Sequence, residues 1–354
     1  GTPTLLNNQQ LTHLIELLQG LFSLNREIEI TIEANPESIG KLDLRQLASL
    51  GVNRLSIGIQ SFIDSELTTL GRSHSVSDVL QAYRRSRQAG FGNVNFDLIY
   101  GLPHQTLSDW RKTVEQAVDL SPEHLSLYAL TIEPHTTLAR NISQGLLPEP
   151  QPDLAAEMYQ TAEQILRVKG YHHYEISNWA LPGRECRHNI NYWNNGEYIG
   201  LGAGAHSHLS NCRFANVESP FEYHRRLHQR KFLTPDGLRA EFLSVTPWQD
   251  LARGGWPVAT LDYLDRETAT LEWLILGLRM TDGLNMMTYP HNGVETIYGD
   301  ELERLATDGL AERVGNTVRL TAKGRLLSNE VFVRLLQRYK QLRELDENST
   351  LHLS

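Results

Sequence analysis

Cysteine is scarce in this chain: 354 residues contain two, Cys186 and Cys212. Two distant thiols build no disulfide scaffold, which makes an intracellular, cytoplasmic protein the default expectation. Positive charge is short as well. The 33 Lys and Arg against 42 Asp and Glu leave a net charge of -9, which argues against the electrostatic footprint of nucleic-acid binding. No apolar run reaches the length of a bilayer span and no signal peptide is visible, so membrane association, if any, is expected to be peripheral. An initiator methionine is also missing. The chain opens Gly1-Thr2-Pro3-Thr4-Leu5-Leu6, and a glycine-containing turn leading into a helix usually follows a strand, so the polypeptide is expected to begin inside its fold.

What is present is ordinary globular material, 40% hydrophobic and 21% charged, long enough for one large domain and a smaller one. Residues 93–106 set the theme. Val94, Phe96, Leu98 and Tyr100 alternate with Asn95 and Asp97 before Gly101-Leu102-Pro103 stops the run, the pattern of a strand with one apolar and one polar face. Residues 27–33 repeat it, with Ile28, Ile30 and Ile32 opposing Glu29, Thr31 and Glu33; at 54–60, Leu55, Ile57 and Ile59 oppose Ser56, Gly58 and Gln60. Residues 125–131 are a less regular fourth strand. Helix-like segments at 7–22, 41–50, 77–89 and 108–119 separate them, so the apolar faces have helices to pack on while the polar faces look elsewhere. A barrel-like α/β sheet around a polar cavity answers both demands, because a filled barrel would carry branched apolar side chains inside. The pattern also allows a sheet with one face in water, which needs no ligand.

Further on, 141–152 reads as a Gly- and Pro-rich loop, 153–169 as a helix and 171–177 as another strand. From 178 to 211 the periodicity fails. Trp179, His188-Asn189-Ile190-Asn191-Tyr192-Trp193 and Gly200-Leu201-Gly202-Ala203-Gly204-Ala205-His206-Ser207-His208 crowd aromatics, amides and glycines together, a composition that lines a site. Residues 221–229 read as helix and 235–262 as irregular, with Gly254-Gly255-Trp256-Pro257 as the candidate join between domains. Helices at 267–280 and 296–308, a hairpin over 310–321 turning at Gly315-Asn316, and a helix at 323–342 precede a tail expected to fray from 344. Helices with a small hairpin look like a winged-helix domain. Such a fold serves packing as often as DNA binding, and the acidic balance favours packing; strongly salt-dependent binding would mark the other case.

Five pieces, in order, carry a resemblance. Gly1-Thr2-Pro3-Thr4, Glu33-Ala34-Asn35-Pro36, Leu55-Ser56-Ile57-Gly58-Ile59-Gln60-Ser61-Phe62, Gly71-Arg72 and Asn95-Phe96-Asp97-Leu98-Ile99-Tyr100-Gly101-Leu102-Pro103 resemble the radical S-adenosylmethionine enzymes related to oxygen-independent coproporphyrinogen oxidase, over nearly the whole chain. The resemblance implies a partial (β/α)6 radical SAM barrel, lacking its first strands here, and a smaller winged-helix-like C-terminal domain. The expected limits are 1–211 for the barrel and ligand loop, 212–265 for a linker or extension, and 266–354 for the C-terminal domain. It also implies S-adenosylmethionine as a ligand. Gly1 and Thr2 should meet its amino group, Arg72 its carboxylate, Gln60 and Asp97 its ribose hydroxyls, and Glu33 a methionyl or neighbouring polar group, with Thr131 and His206 completing the pocket. A guanidinium grips a carboxylate through paired charge-assisted bonds, and a carboxylate or amide accepts from vicinal hydroxyls. For Glu33 and Asp97 the strand pattern points the same way independently.

The family binds a [4Fe-4S] cluster through three cysteines of a C-x3-C-x2-C loop upstream of its Gly-Gly-Thr-Pro motif. This sequence starts after that loop, and Cys186 and Cys212 do not replace it, since a cluster needs closely spaced thiolates; reductive cleavage of S-adenosylmethionine is not expected of the chain as it stands. Within the family, His188-Asn189-Ile190-Asn191-Tyr192-Trp193 is similar to the His-Asn-x-x-Tyr-Trp motif of the HemW group, regarded as heme-binding proteins that deliver heme to acceptor proteins. That implies His188 as a ligand of heme iron with aromatic neighbours over the porphyrin. His172, His173, His206 and His208 are rival ligands, and Cys186 is either an additional thiolate or a small loop residue. The competing expectation is an enzyme, an oxygen-independent coproporphyrinogen III oxidase.

Overall fold

A computed structural model describes residues 3–25, 27–229, 256–288 and 294–351. The chain divides into two compact units, Gly1–Arg187 and His188–Ser354.

In the first unit six strands form one sheet: β1 Thr31–Ala34, β2 Arg54–Gln60, β3 Val94–Tyr100, β4 His124–Ala129, β5 His172–Glu175 and β6 Asn178–Ala180. Their spatial order is β1-β2-β3-β4-β6-β5. Strands β1 to β4 pair in parallel, which requires the helical crossovers that the sequence shows between them. β6 runs antiparallel to both β4 and β5, because the two residues between β5 and β6 can close only a hairpin. The apolar faces are where the alternation puts them: Leu55, Ile57, Ile59, Val94, Phe96, Leu98, Leu125 and Leu127 are at most 1% exposed. Each such burial contributes about 1.5–3 kcal/mol. Helices Val76–Gln88 and Leu107–Asp119 cover this face, with Tyr83 edge-on to Phe96 at 5.3 Å and Trp110 tilted on Tyr100 at 5.5 Å. Their starts are fixed locally, by a Ser75–Asp78 capping box and by the Thr106 hydroxyl on the Asp109 N–H, which satisfy otherwise orphaned backbone donors.

Several boundaries differ from the sequence pattern. The first strand is paired only over Thr31–Ala34, although alternation begins at Glu27, and the fourth starts at His124 and ends at Ala129, which leaves Thr131 beyond it. Helix Leu44–Ser49 starts late because Asp43 caps it, and helix Thr137–Ser143 runs into the segment expected as loop.

In the second unit β7 His206–Leu209, β8 Cys212–Asn216 and β9 Val258–Tyr263 form an antiparallel sheet that draws on residues from both sides of position 211. The stretch expected to be irregular therefore holds β6, β7 and helix Arg187–Trp193, which straddles the division between units. Such elements are too short for a period to show. Helices Pro220–Gln229, Arg266–Gly277 and Val294–Thr307 follow, with a small sheet of β10 Leu284–Asn285, β11 Ala311–Val314 and β12 Thr317–Leu320. Its hairpin turns at Gly315-Asn316, where Gly315 has φ 60, a left-handed conformation suited to glycine. The final helix is interrupted at Leu327 into Ala322–Leu326 and Ser328–Leu351, and it continues through the tail expected to fray. Gly254 and Gly255 of the expected join lie outside the described residues. Among the described residues no helix is long and apolar enough to cross a membrane.

Candidate functional site

Strand register assembles the polar face from distant parts of the chain. Glu33 lies opposite Ser56, Ser56 opposite Asn95 and Asn95 opposite His124, while Asp97 lies opposite Ser126 and Ser126 opposite Asn178. Asn95 is the hub. Its amide donates to Ser56 Oγ (2.7 Å) and Asp97 Oδ1 (2.8 Å), and its carbonyl accepts from His124 Nδ1 (2.7 Å) and Ser126 Oγ (3.2 Å), which engages both donors and both lone pairs. Burial, and then the charge of Arg54, hold His124 well below the usual imidazole range. The ring is neutral, with Nδ1–H donating to Asn95 and Nε2 accepting from the Tyr174 hydroxyl at 2.8 Å.

Asp97 is half-buried and also accepts from Ser56 Oγ at 3.0 Å. Burial pushes its carboxyl up against the opposing hydrogen bonds of Ser56 and Asn95, and the neighbouring charge of Glu33 pushes the same way. Two donors, Ser56 Oγ and Asn95 Nδ2, on about four acceptor positions leave roughly two for ligand hydroxyls. Tyr128, two residues after Ser126, has its phenol raised by burial and then by Asp97, with Glu175 and Glu33 adding to it, so it remains a neutral donor beside the carboxylates. The sequence pattern puts Ser126 and Tyr128 opposite Leu125, Leu127 and Ala129 without a ligand role, and it leaves His124 outside the fourth strand. Their signal was the i, i+2 spacing of a strand whose start at His124 the apolar pattern does not reveal.

The carboxyl ends of the strands carry the motif residues. Gln60 ends β2 at φ 72, a conformation rare for a residue with a side chain. Its amide folds back over Gly58, where a Cβ would stand 2.9 Å from Gln60 Nε2 and 3.2 Å from Asn35 Oδ1 and would push both side-chain ends aside. Arg72 is held by its backbone N–H on the Leu67 carbonyl (2.9 Å). The residues after it are pinned to the rim: Ser73 Oγ donates to Glu37 Oε1 (3.0 Å), His74 Nδ1 is 3.2 Å from Glu37 Oε2, and His74 Nε2 is 3.1 Å from the Ile59 carbonyl. The Arg72 guanidinium itself is not engaged by the described residues. Thr131 is exposed past β4, and Gly1 and Thr2 lie outside the described residues. His206 is exposed at the start of β7 in the second unit.

Behind Gln60, the buried Glu66 accepts from Ser61 Oγ and from Gln105 Nε2 (3.1 Å), while Gln105 Oε1 accepts from the N–H groups of Gly101 (2.8 Å) and Leu102 (3.2 Å). One carboxyl thus ties the ends of β2 and β3 together. Burial raises it above its ordinary value of 4.5, against the hydrogen bonds of Ser61 and Gln105, so the folded state holds its proton more tightly than the unfolded chain. Its stabilising contribution is complete below 4.5 and fades as pH rises through the raised value. Glu66→Gln is expected to flatten the acid side of the stability profile, measured by urea unfolding at a series of pH values; an unchanged profile would remove Glu66 from this role.

The histidine motif forms helix Arg187–Trp193. His188 is exposed and meets Tyr192 edge-on at 4.7 Å; Tyr192 lies 4.4 Å from Tyr198, and Tyr198 6.2 Å from His208. The Arg279 guanidinium covers Trp193 at 4.2 Å. Among the rival ligands, His208 is buried with Nδ1 3.2 Å from the Gly196 carbonyl, and His173 is stacked on Trp179 at 4.1 Å with Glu163 3.2 Å away. His172 is exposed, 3.8 Å from Glu185. Cys186, a buried free thiol, contacts Glu29, and Cys212 is buried in β8. Two thiols in separate units do not fit the ligand set of an iron–sulfur cluster.

Residues 1–117 match the radical SAM superfamily model and residues 264–327 the HemN C-terminal domain model. The chain is 34% identical to the heme chaperone HemW of Bacillus subtilis (strain 168), over 94% of this chain and 82% of that protein. It is 33% identical to the mitochondrial radical S-adenosyl methionine domain-containing protein 1 of Bos taurus, over 96% of this chain and 75% of that one. Among solved structures, coproporphyrinogen III oxidase (HemN) from Escherichia coli matches with a TM-score of 0.72 and 24% identity, over 95% of this chain and 76% of that chain, a likeness of fold. With both ends of the chain matched by family models and its relatives covered over most of their length, this chain belongs to the HemW family of the radical S-adenosylmethionine superfamily.

Proposed function

We propose that this chain binds heme and hands it to acceptor proteins, and that the polar face of its first unit holds S-adenosylmethionine. The observation that carries the heme reading is the likeness to proteins named heme chaperone HemW, at 34% identity over 82% of the Bacillus subtilis protein. The exposed His188 supports the residue assignment, because a neutral imidazole ligates heme iron and the adjoining Tyr192 offers an aromatic surface to a porphyrin. The likeness to the oxidase concerns the fold.

Superfamily membership implies S-adenosylmethionine and a [4Fe-4S] cluster. The chain's two cysteines do not supply the cluster's ligands. For S-adenosylmethionine the residues fit: the Arg72 guanidinium, not engaged by the described residues, suits the carboxylate, and Gln60 and the remaining acceptor positions of Asp97 suit the ribose hydroxyls. Glu33, Gly1, Thr2 and Thr131 are assigned to the same ligand and His206 to the pocket loop. A cytoplasmic location agrees with two free thiols, and a C-terminal domain over 266–354 agrees with the match at 264–327.

Hemin titration followed in the Soret band tests the heme reading, with transfer to apomyoglobin as the delivery assay. His188→Ala is expected to weaken binding about tenfold and to shift the band. A wild-type chain that takes up no hemin would sink the chaperone reading, and a variant with unaltered affinity and spectrum would remove His188 from it.

A further inference from the structure

We infer that Arg213, held by Glu272, is the positioning residue that fixes the helix carrying His188 and the aromatic wall beside it; this deepens the heme reading and rests on it. Helix Arg187–Trp193 has seven residues, and isolated helices below about 12–15 residues are marginal in water. Its direction must therefore come from anchors outside it.

Arg187 at its start is tied by its N–H to Glu29 Oε2 (3.1 Å) and by its guanidinium to the Glu27 carbonyl (2.6 Å); the anchor beside the aromatic wall is at its C-terminal end. Asn195, left-handed at φ 53, donates its N–H to the Tyr192 carbonyl (2.9 Å), and its Oδ1 accepts from Arg213 Nη2 (2.9 Å). The same guanidinium donates through Nη1 to the Tyr198 hydroxyl (3.2 Å) and through Nε to both carboxylate oxygens of Glu272 (2.8 and 3.0 Å). Tyr198 is gripped a second time through its backbone, which exchanges hydrogen bonds with His208 at 2.9 and 3.0 Å. Its ring is consequently fixed against Tyr192 at 4.4 Å, and Tyr192 against His188 at 4.7 Å. A continuous line of contact runs from the Glu272 carboxylate through guanidinium and two phenols to the imidazole. Only a planar fork reaches Asn195, Tyr198 and Glu272 at once; a lysine ammonium presents a single point of charge on a flexible stem.

The test combines hemin titration with amide hydrogen exchange on Arg213→Ala, Arg213→Lys, Tyr198→Phe and the Arg213→Ala/Tyr198→Phe double variant. Arg213→Ala is expected to lower hemin affinity about fivefold and shift the Soret band. Arg213→Lys should not restore either. Tyr198→Phe should lose less, and the double variant no more than Arg213→Ala alone, the non-additivity of residues that act through one another. The amides of residues 194–196, which close the helix onto Ile190, Tyr192 and Asn191, should exchange about tenfold faster in Arg213→Ala even without hemin. Should Arg213→Ala fail to fold, Tyr198→Phe and Asn195→Gly, which keeps the left-handed backbone without strain, each remove the partner of one arm of the fork, and both must show faster exchange at 194–196. Wild-type exchange, affinity and spectrum in Arg213→Ala would overturn the inference. Absence of hemin binding by the unaltered chain would overturn the heme reading, and the exchange measurement would still decide whether Arg213 holds the helix.

Discussion

Replacing Asp97 by alanine is expected to weaken S-adenosylmethionine binding by about tenfold to a hundredfold, the worth of one hydrogen bond to a charged acceptor. Calorimetric titration with S-adenosylmethionine, and with S-adenosylhomocysteine as a second probe, measures it without any turnover. Asparagine at the same place separates ligand binding from folding. Burial and the Glu33 charge raise the Asp97 carboxyl above its ordinary 3.8, so this group stabilises the fold fully below 3.8 and progressively less as pH rises through the raised value. At neutral pH the charged form is a burden on the folded state. Asp97→Asn is accordingly expected to melt higher than the parent at pH 7 while binding the nucleoside more weakly. A variant that lost stability and kept its affinity would show that Asp97 serves the sheet and not a ligand.

Trp110→Ala carries the largest expected loss of stability, about 3–5 kcal/mol. Trp110 is 0% exposed, leans on Tyr100 at 5.5 Å and donates Nε1–H to the Met158 carbonyl at 2.7 Å. It therefore joins helices Leu107–Asp119 and Pro152–Val168 behind β3, the strand that presents Asp97. Trp110→Phe keeps most of the volume and should cost less, with about 1 kcal/mol of its loss due to the hydrogen bond. Urea unfolding followed by circular dichroism gives both values. A loss for alanine below about 1 kcal/mol would mean that this layer collapses around the gap and is not what fixes β3.

Part of this architecture is written locally. Alternation of Val94, Phe96, Leu98 and Tyr100 with Asn95 and Asp97 is enough to assign β3 and its two faces, because a period of two belongs to the extended backbone itself. The helix starts at Asn7 and Thr106 are local for the same reason, since each cap bonds an N–H within three residues. The motif at 188–193 is legible as residues but not as a helix. Seven residues give no periodic signal, and the helix is positioned by Arg213 and Glu272 from far along the chain.

The sequence by itself determined which side chains face away from the apolar layer and which motifs place the chain in its family. Tertiary structure alone decided that Glu33, Ser56, Asn95 and His124 form one row, that Asn95 aims Asp97, and that burial in the field of Glu33 raises the Asp97 carboxyl. Backbone periodicity and capping act over a few residues, whereas strand register, desolvation and cross-strand hydrogen bonds depend on contacts between segments that fold together from distant positions.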